Sequence, residues 1–150
     1  MKKFFMIICA ACLLITGCGE NSQANSAKVK EAAPVKNSVT IQINGKNFSV
    51  TLEDNPTARA FVERLPLVVS MTELNGNEKY FYLDEDLPSD SVCVKQIHAG
   101  DFMLFGSNCV VLFYKNFSTS YTYTRLGKIK NPADLEKILG AGNVQANFKY

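Results

Sequence analysis

The residues able to do chemistry are few and unevenly placed. There is one histidine, His98, with five cysteines and no tryptophan. A lone histidine and scattered cysteines make no ligand set of useful spacing, so neither metal nor cofactor is expected. Beyond Cys18, no Ser/His/Asp, Cys/His or CxxC set offers nucleophilic or redox catalysis. His98 precedes Ala99-Gly100 at a strand junction and reads as a surface or loop-packing residue. What the folded part does hold is tyrosine: Tyr80, Tyr82, Tyr114, Tyr121 and Tyr123. Each offers apolar area with a polar tip, the composition of many recognition surfaces. Tyr80, Tyr82, Asn108, Tyr121, Tyr123 and Arg125 are the candidate ligand-binding residues, and no catalytic residue is assigned. The same rings could instead cover an outer sheet or the ends of a fold.

The amino terminus is more specific. Lys2-Lys3 is a positive n-region, and Phe4 to Leu14 is an apolar run of 11 residues, too short to span a bilayer. Ile15-Thr16-Gly17-Cys18 then resembles the bacterial lipobox. Small residues let the backbone enter a signal peptidase, and the thiol of Cys18 accepts a diacylglycerol. An ordinary secretory signal followed by an unrelated cysteine would share only the first two features. The expectation is a signal peptide over 1–17, a lipidated Cys18, and a bacterial envelope lipoprotein with its domain extracytoplasmic. Acyl chains contribute roughly 0.8 kcal/mol per buried CH₂, so several on one residue hold it in the bilayer. Which membrane carries it stays open.

Charge narrows the partners. The whole chain has 16 basic and 14 acidic residues, and loss of Lys2 and Lys3 leaves the two signs balanced. A nucleic-acid surface needs a basic excess, so no nucleic acid is expected, nor wholesale adsorption to anionic lipid. Partners should be the bilayer, through acylated Cys18, and a peptide or small molecule. Cys9 and Cys12 leave with the signal. Cys93 and Cys109 remain, and since both fall in predicted strands they read as two buried free thiols; export would permit a bridge.

Stepping along the chain, Gly19 to Asn37 is Asn, Ser, Ala, Lys and Glu without apolar periodicity. It reads as a solvated tether with a reach of up to about 60 Å at roughly 3.3 Å per residue. A folded domain is expected over 38–150. Val39, Ile41 and Ile43, then Phe48, Val50 and Leu52, alternate around Asn44-Gly45, a hairpin signature. Asn55-Pro56 reads as N-cap and first helical residue, with Ala58, Phe61, Val62 and Leu65 on one face and Arg59/Glu63 as a solvated pair. Strands are expected at Leu67–Met71, Lys79–Leu83, Ser91–Ile97, Phe102–Phe105, Cys109–Tyr114, Phe117–Leu126 and Asn143–Lys149. Cys109 to Tyr114 is almost continuously apolar, so both of its faces should be covered. Asp84-Glu85-Asp86 reads as solvated surface, not a calcium site. Asn131-Pro132 repeats the cap signature before Leu135, Ile138 and Leu139, with Gly140 closing the helix. The sum is a mainly β chain: a closed antiparallel barrel of about eight strands with two short covering helices, closure removing the edges of the sheet.

The order and the residues resemble the cyclophilin-like β-barrel, and more closely the small bacterial cyclophilin-like domains of unassigned function. The segments that carry the likeness are Asn55-Pro56-Thr57-Ala58, Gly100-Asp101, Gly106-Ser107-Asn108-Cys109-Val110-Val111-Leu112-Phe113-Tyr114, and Leu126-Gly127-Lys128-Ile129 leading to Asn131-Pro132. In cyclophilin isomerases an arginine on a Phe-His-Arg strand hydrogen-bonds the prolyl amide, and a glutamine, a phenylalanine and a histidine complete the pocket. The matching strand here is Tyr80-Phe81-Tyr82-Leu83, without arginine. The glutamine position falls near Asn108 or Cys109, the phenylalanine near Val110 or Val111, and the histidine near Tyr123. The resemblance therefore implies the barrel and a groove on its face, not the isomerase residues. A non-catalytic binding module is the first reading; the alternative is a diverged peptidyl-prolyl cis-trans isomerase.

Overall fold

Alternation of apolar and polar residues becomes sheet as soon as the chain enters the region that the computed structural model describes, residues 37–150. The signal peptide, Cys18 and nearly all of the tether lie outside these residues. β1 (Ser38–Ile43) and β2 (Lys46–Leu52) form a hairpin whose turn residues Asn44 and Gly45 both have positive φ, 49° and 77°, the type I′ geometry that matches strand twist. α1 (Pro56–Val62) follows, then β3 (Leu67–Leu74), β4 (Glu78–Tyr82), and the two-residue strands β5 (Val92–Cys93) and β6 (Gln96–Ile97). The central hairpin is β7 (Asp101–Phe105) and β8 (Cys109–Phe113), after which come β9 (Phe117–Ser118), β10 (Thr122–Ile129), α2 (Leu135–Leu139) and β11 (Val144–Lys149).

Eight strands close on themselves in the order β2-β1-β11-β3-β4-β8-β7-β10, with β10 returning to pair with β2, every pairing antiparallel. Closure satisfies the backbone groups that an open sheet would leave at its edges. The interior is aliphatic and phenylalanine-rich. α1 drives Phe61 inward, where its ring meets Phe102 at 5.4 Å and Phe148 at 5.7 Å, both edge-on, and each such ring stabilises the fold by roughly 1.5–3 kcal/mol. On the inward face of β4 the chain buries a charge: Lys79 is fully buried. Its Nζ bonds the Glu73 carboxylate and donates to Gly140 O at 2.9 Å, while Tyr114 Oη donates to the same carboxylate.

Five local expectations need correction. Ser91–Ile97 is not one strand, because Lys95 at φ 59° separates β5, paired to β10, from β6, paired to β9. Phe117–Leu126 likewise divides: β9 leaves to pair with β6, and Tyr121 lies before β10, its N–H on Thr119 Oγ1. Asn55 does cap α1, accepting from Ala58 N at 2.8 Å, but Arg59 turns back to Asp54 (2.6 Å) instead of pairing with Glu63. At α2 the residue in the cap position is Asp134, without a side-chain cap, because Leu135 N first closes a turn on Pro132 O. Cys93 and Cys109 are free thiols, and Cys93 is exposed, not buried, since β5 is an outlying two-residue strand.

Candidate functional site

Alternation along β4 sends Phe81 into the barrel and leaves Glu78, Tyr80 and Tyr82 on the outer face. In register beside them on β8 stand Phe113, Val111 and Cys109. These outward residues, with Met103, Tyr123 and Ile97, make a second apolar cluster outside the barrel. That is why Cys109–Phe113 is apolar throughout: β8 is buried on both faces. The β6–β9 ribbon roofs part of the cluster. Its loop is pinned by Thr119 N to Lys95 O (2.9 Å), Gln96 Nε2 to Ser118 Oγ (2.8 Å) and Ala99 N to Asn116 Oδ1 (2.7 Å).

Beside this roof the outer face opens into a groove of about 490 Å³. One wall is β4 with the preceding turn, contributing Asn77, Glu78, Tyr80 and Tyr82; Phe117 to Tyr121 form the other. Cys109, Val111, Phe105 and Tyr123 lie between them. Tyr123 is 5% exposed and packed edge-on against Phe113 at 5.5 Å, so its ring is floor. Tyr82 and Tyr121 are 65% and 63% exposed, each braced edge-on by a neighbour, Tyr80 at 5.7 Å and Phe105 at 5.9 Å. The lining includes no Lys, Arg or His.

The electrostatics follow from this. Burial, with the like charge of Glu73 behind it, pushes the Glu78 carboxyl up to about 7. Burial likewise raises the Cys109 thiol, and it lifts the Tyr123 phenol to about 12 with help from Glu78. Among the described residues, the Glu78 side chain has no hydrogen-bonding or ion-pair partner, and Asn77 Oδ1 next to it in the chain is a buried acceptor without a donor. Among those residues, no three His, Cys, Asp or Glu side chains are placed to hold a metal ion.

Of the six sequence candidates, Tyr80, Tyr82, Tyr121 and Tyr123 meet in this groove. Asn108 does not: it sits in the β7–β8 turn and its Nδ2 donates to Leu83 O at 3.3 Å. Arg125 lines a separate hollow of about 320 Å³ beside the start of α1, where its carbonyl accepts from Asn55 Nδ2. Tyr114 is at the buried Glu73–Lys79 pair instead. Glu78 escaped the sequence reading. The signal was there, since the alternation that pairs Tyr80 with Tyr82 also puts Glu78 on their face.

A closed eight-stranded antiparallel barrel with two helices and an outer-face groove defines a cyclophilin-type architecture. A model of the cyclophilin-like family matches residues 41–149, and the chain belongs to that family. The solution structure of a hypothetical protein from Archaeoglobus fulgidus has the same fold: at a TM-score of 0.53 and 17% identity, the match covers 79% of this chain and 98% of that one. No curated protein matches.

Proposed function

We propose that the protein is a lipid-anchored binding module of the bacterial envelope, whose outer-face groove holds a peptide or small ligand without converting it. The observation that carries this reading is the groove's lining, aromatic and acidic with no cationic donor. Of the positions that the family resemblance assigns to the isomerase pocket, Tyr80, Tyr82, Cys109, Val111 and Tyr123 line this groove, while Asn108 and Val110, the other members of the two open pairs, do not. Prolyl isomerisation starts from a barrier of about 18–20 kcal/mol, and lowering it needs a donor aimed at the prolyl nitrogen. The lining offers aromatic surface for binding and no arginine for that step. Anchorage rests on the Ile15-Thr16-Gly17-Cys18 motif, which likewise supports a domain outside the cytoplasm.

NMR exchange spectroscopy on a fluorinated Ala-Pro peptide, with the detergent-solubilised full chain at substoichiometric amounts, tests the reading. Uncatalysed exchange takes tens to hundreds of seconds, so even modest catalysis stands out. The expected result is shifted, broadened peptide signals with an unchanged exchange rate. Acceleration would replace the binding module with a diverged isomerase.

A further inference from the structure

We propose that the outer-face groove is a receptor for an organic ammonium ion, with Glu78 as its counter-charge and tyrosine rings as its walls. The inference rests on reading the groove as a ligand site and names what that ligand must carry. Glu78 is the single acidic residue in the lining, and no basic side chain there neutralises it. The neighbouring cation, Lys79, alternates to the opposite side of β4 and is committed to Glu73 and to the carbonyls of Gly140 and Gly142. The half-buried Glu78 carboxylate has no cation beside it in the lining, and a ligand that donates charged hydrogen bonds supplies the missing partner.

The aromatic rings select the same class. Tyr80, Tyr82, Tyr121 and Tyr123, with Phe105, surround the opening, and a ring face attracts a cation by its quadrupole, the more so where water is thinned. A carboxylate ligand would face Glu78 across the groove and be repelled. A neutral ligand would leave Glu78 desolvated and unpaired. Only a cation turns the raised free energy of that side chain into affinity.

The titratable groups that couple to Glu78 are Glu73 from β3, Cys109 from β8, Tyr114 just after β8 and Tyr123 from β10, with Tyr80 and Tyr82 beside it on its own strand. The one cation near them, Lys79, lies on the other face of β4 and is held by Glu73. Binding should therefore weaken as pH falls through about 7, where Glu78 takes up its proton, while a small alkylamine keeps its charge throughout.

The chain suits a direct test, because it has six tyrosines and no tryptophan, and four of the six line the groove. Tyrosine fluorescence of the detergent-solubilised full chain is titrated at pH 8 with 2-phenylethylammonium and, separately, with the neutral 2-phenylethanol. Wild type should bind the ammonium at least roughly tenfold more tightly, and Glu78→Gln should erase that preference. Tyr82→Ala, at an exposed position that folding does not need, should weaken the ammonium and leave the melting temperature in place. Equal binding of both compounds, unaffected by Glu78→Gln, would overturn the ammonium assignment and leave the groove a ligand site. No response to either compound, nor to the Ala-Pro peptide, would overturn both. A capped Ala-Lys-Ala peptide compared with its norleucine analogue identifies the carrier: Glu78-dependent binding of the lysine form places the ammonium on a peptide, and binding of the free amine alone places it on a small molecule.

Discussion

Glu78 and Lys79 are adjacent and opposite in every respect that matters. Lys79 enters the barrel and is fully paired; Glu78 stays outside and, among the described residues, has no cationic partner. Replacing Lys79 by Met should destabilise the protein by about 3 kcal/mol, near the lower end for breaking a buried pair, because Glu73 keeps the Tyr114 hydroxyl and the Gly76 N–H. Chemical denaturation measures it. Glu78 works the other way. Its folded pKa is raised, to about 7 from an ordinary 4.5. The native state therefore holds a proton that the unfolded chain releases, and stability falls as pH rises from about 4.5 to 7. Glu78→Gln should leave the melting temperature unchanged at pH 4, below the unfolded pKa. At pH 8 it should raise stability by about 1 kcal/mol, a figure discounted for the solvent that reaches a half-buried carboxylate, or roughly 4 °C. A variant no more stable at pH 8 than at pH 4, relative to wild type, would show that Glu78 has no desolvation cost. A residue that costs stability in an outer-face groove is the kind that binding retains.

At the scale of elements, the seam between β10 and β2 closes the barrel. Gly127 lies there opposite Leu52, immediately after a bulge at Leu126, and a Cβ at this position would collide with the carbonyl oxygen of Thr51. Backbone cannot swing aside as a side chain can, so Gly127→Ala should cost about 2–3 kcal/mol, readable as a lower denaturation midpoint. A neutral result would mean that the strands part easily at this seam. The elements also show what local sequence can and cannot carry. Asn44-Gly45 announces its turn because positive φ favours those residues, and Asn55-Pro56 announces α1 because cap and ring chemistry are local. Asn131-Pro132 carries the same two residues, yet α2 waits until Leu135 because a turn intervenes. Phe117 to Leu126 alternates well enough for one strand. It is divided by a distant partner, β6, whose claim on β9 is tertiary and invisible in the segment itself. The groove follows the same rule. Its tyrosines were legible by composition, but the separation of Asn108 and Arg125 from them depends on how hairpin and helix dock.

For the whole molecule, the two parts that matter lie far apart in sequence. The lipobox-like motif ends at Cys18, while every residue lining the groove falls between Leu74 and Tyr123. Attachment and binding should therefore be separable by mutation. Cys18→Ser removes the thiol that would form the thioether, so the variant should take up no radioactive palmitate and should lose its membrane attachment. Ligand binding should be unchanged, because no side chain of the groove is altered and the barrel closes on its own strands. Balanced charge sharpens the expectation. With equal numbers of acidic and basic residues after Lys3, the chain has no net basic excess to hold it on anionic lipid without the proposed acyl anchor. Continued palmitate labelling of the variant would exclude Cys18 as the acylated residue. Loss of labelling together with loss of ligand binding would show that the groove needs the membrane to take its ligand, which would make the bilayer part of the site instead of only its anchor.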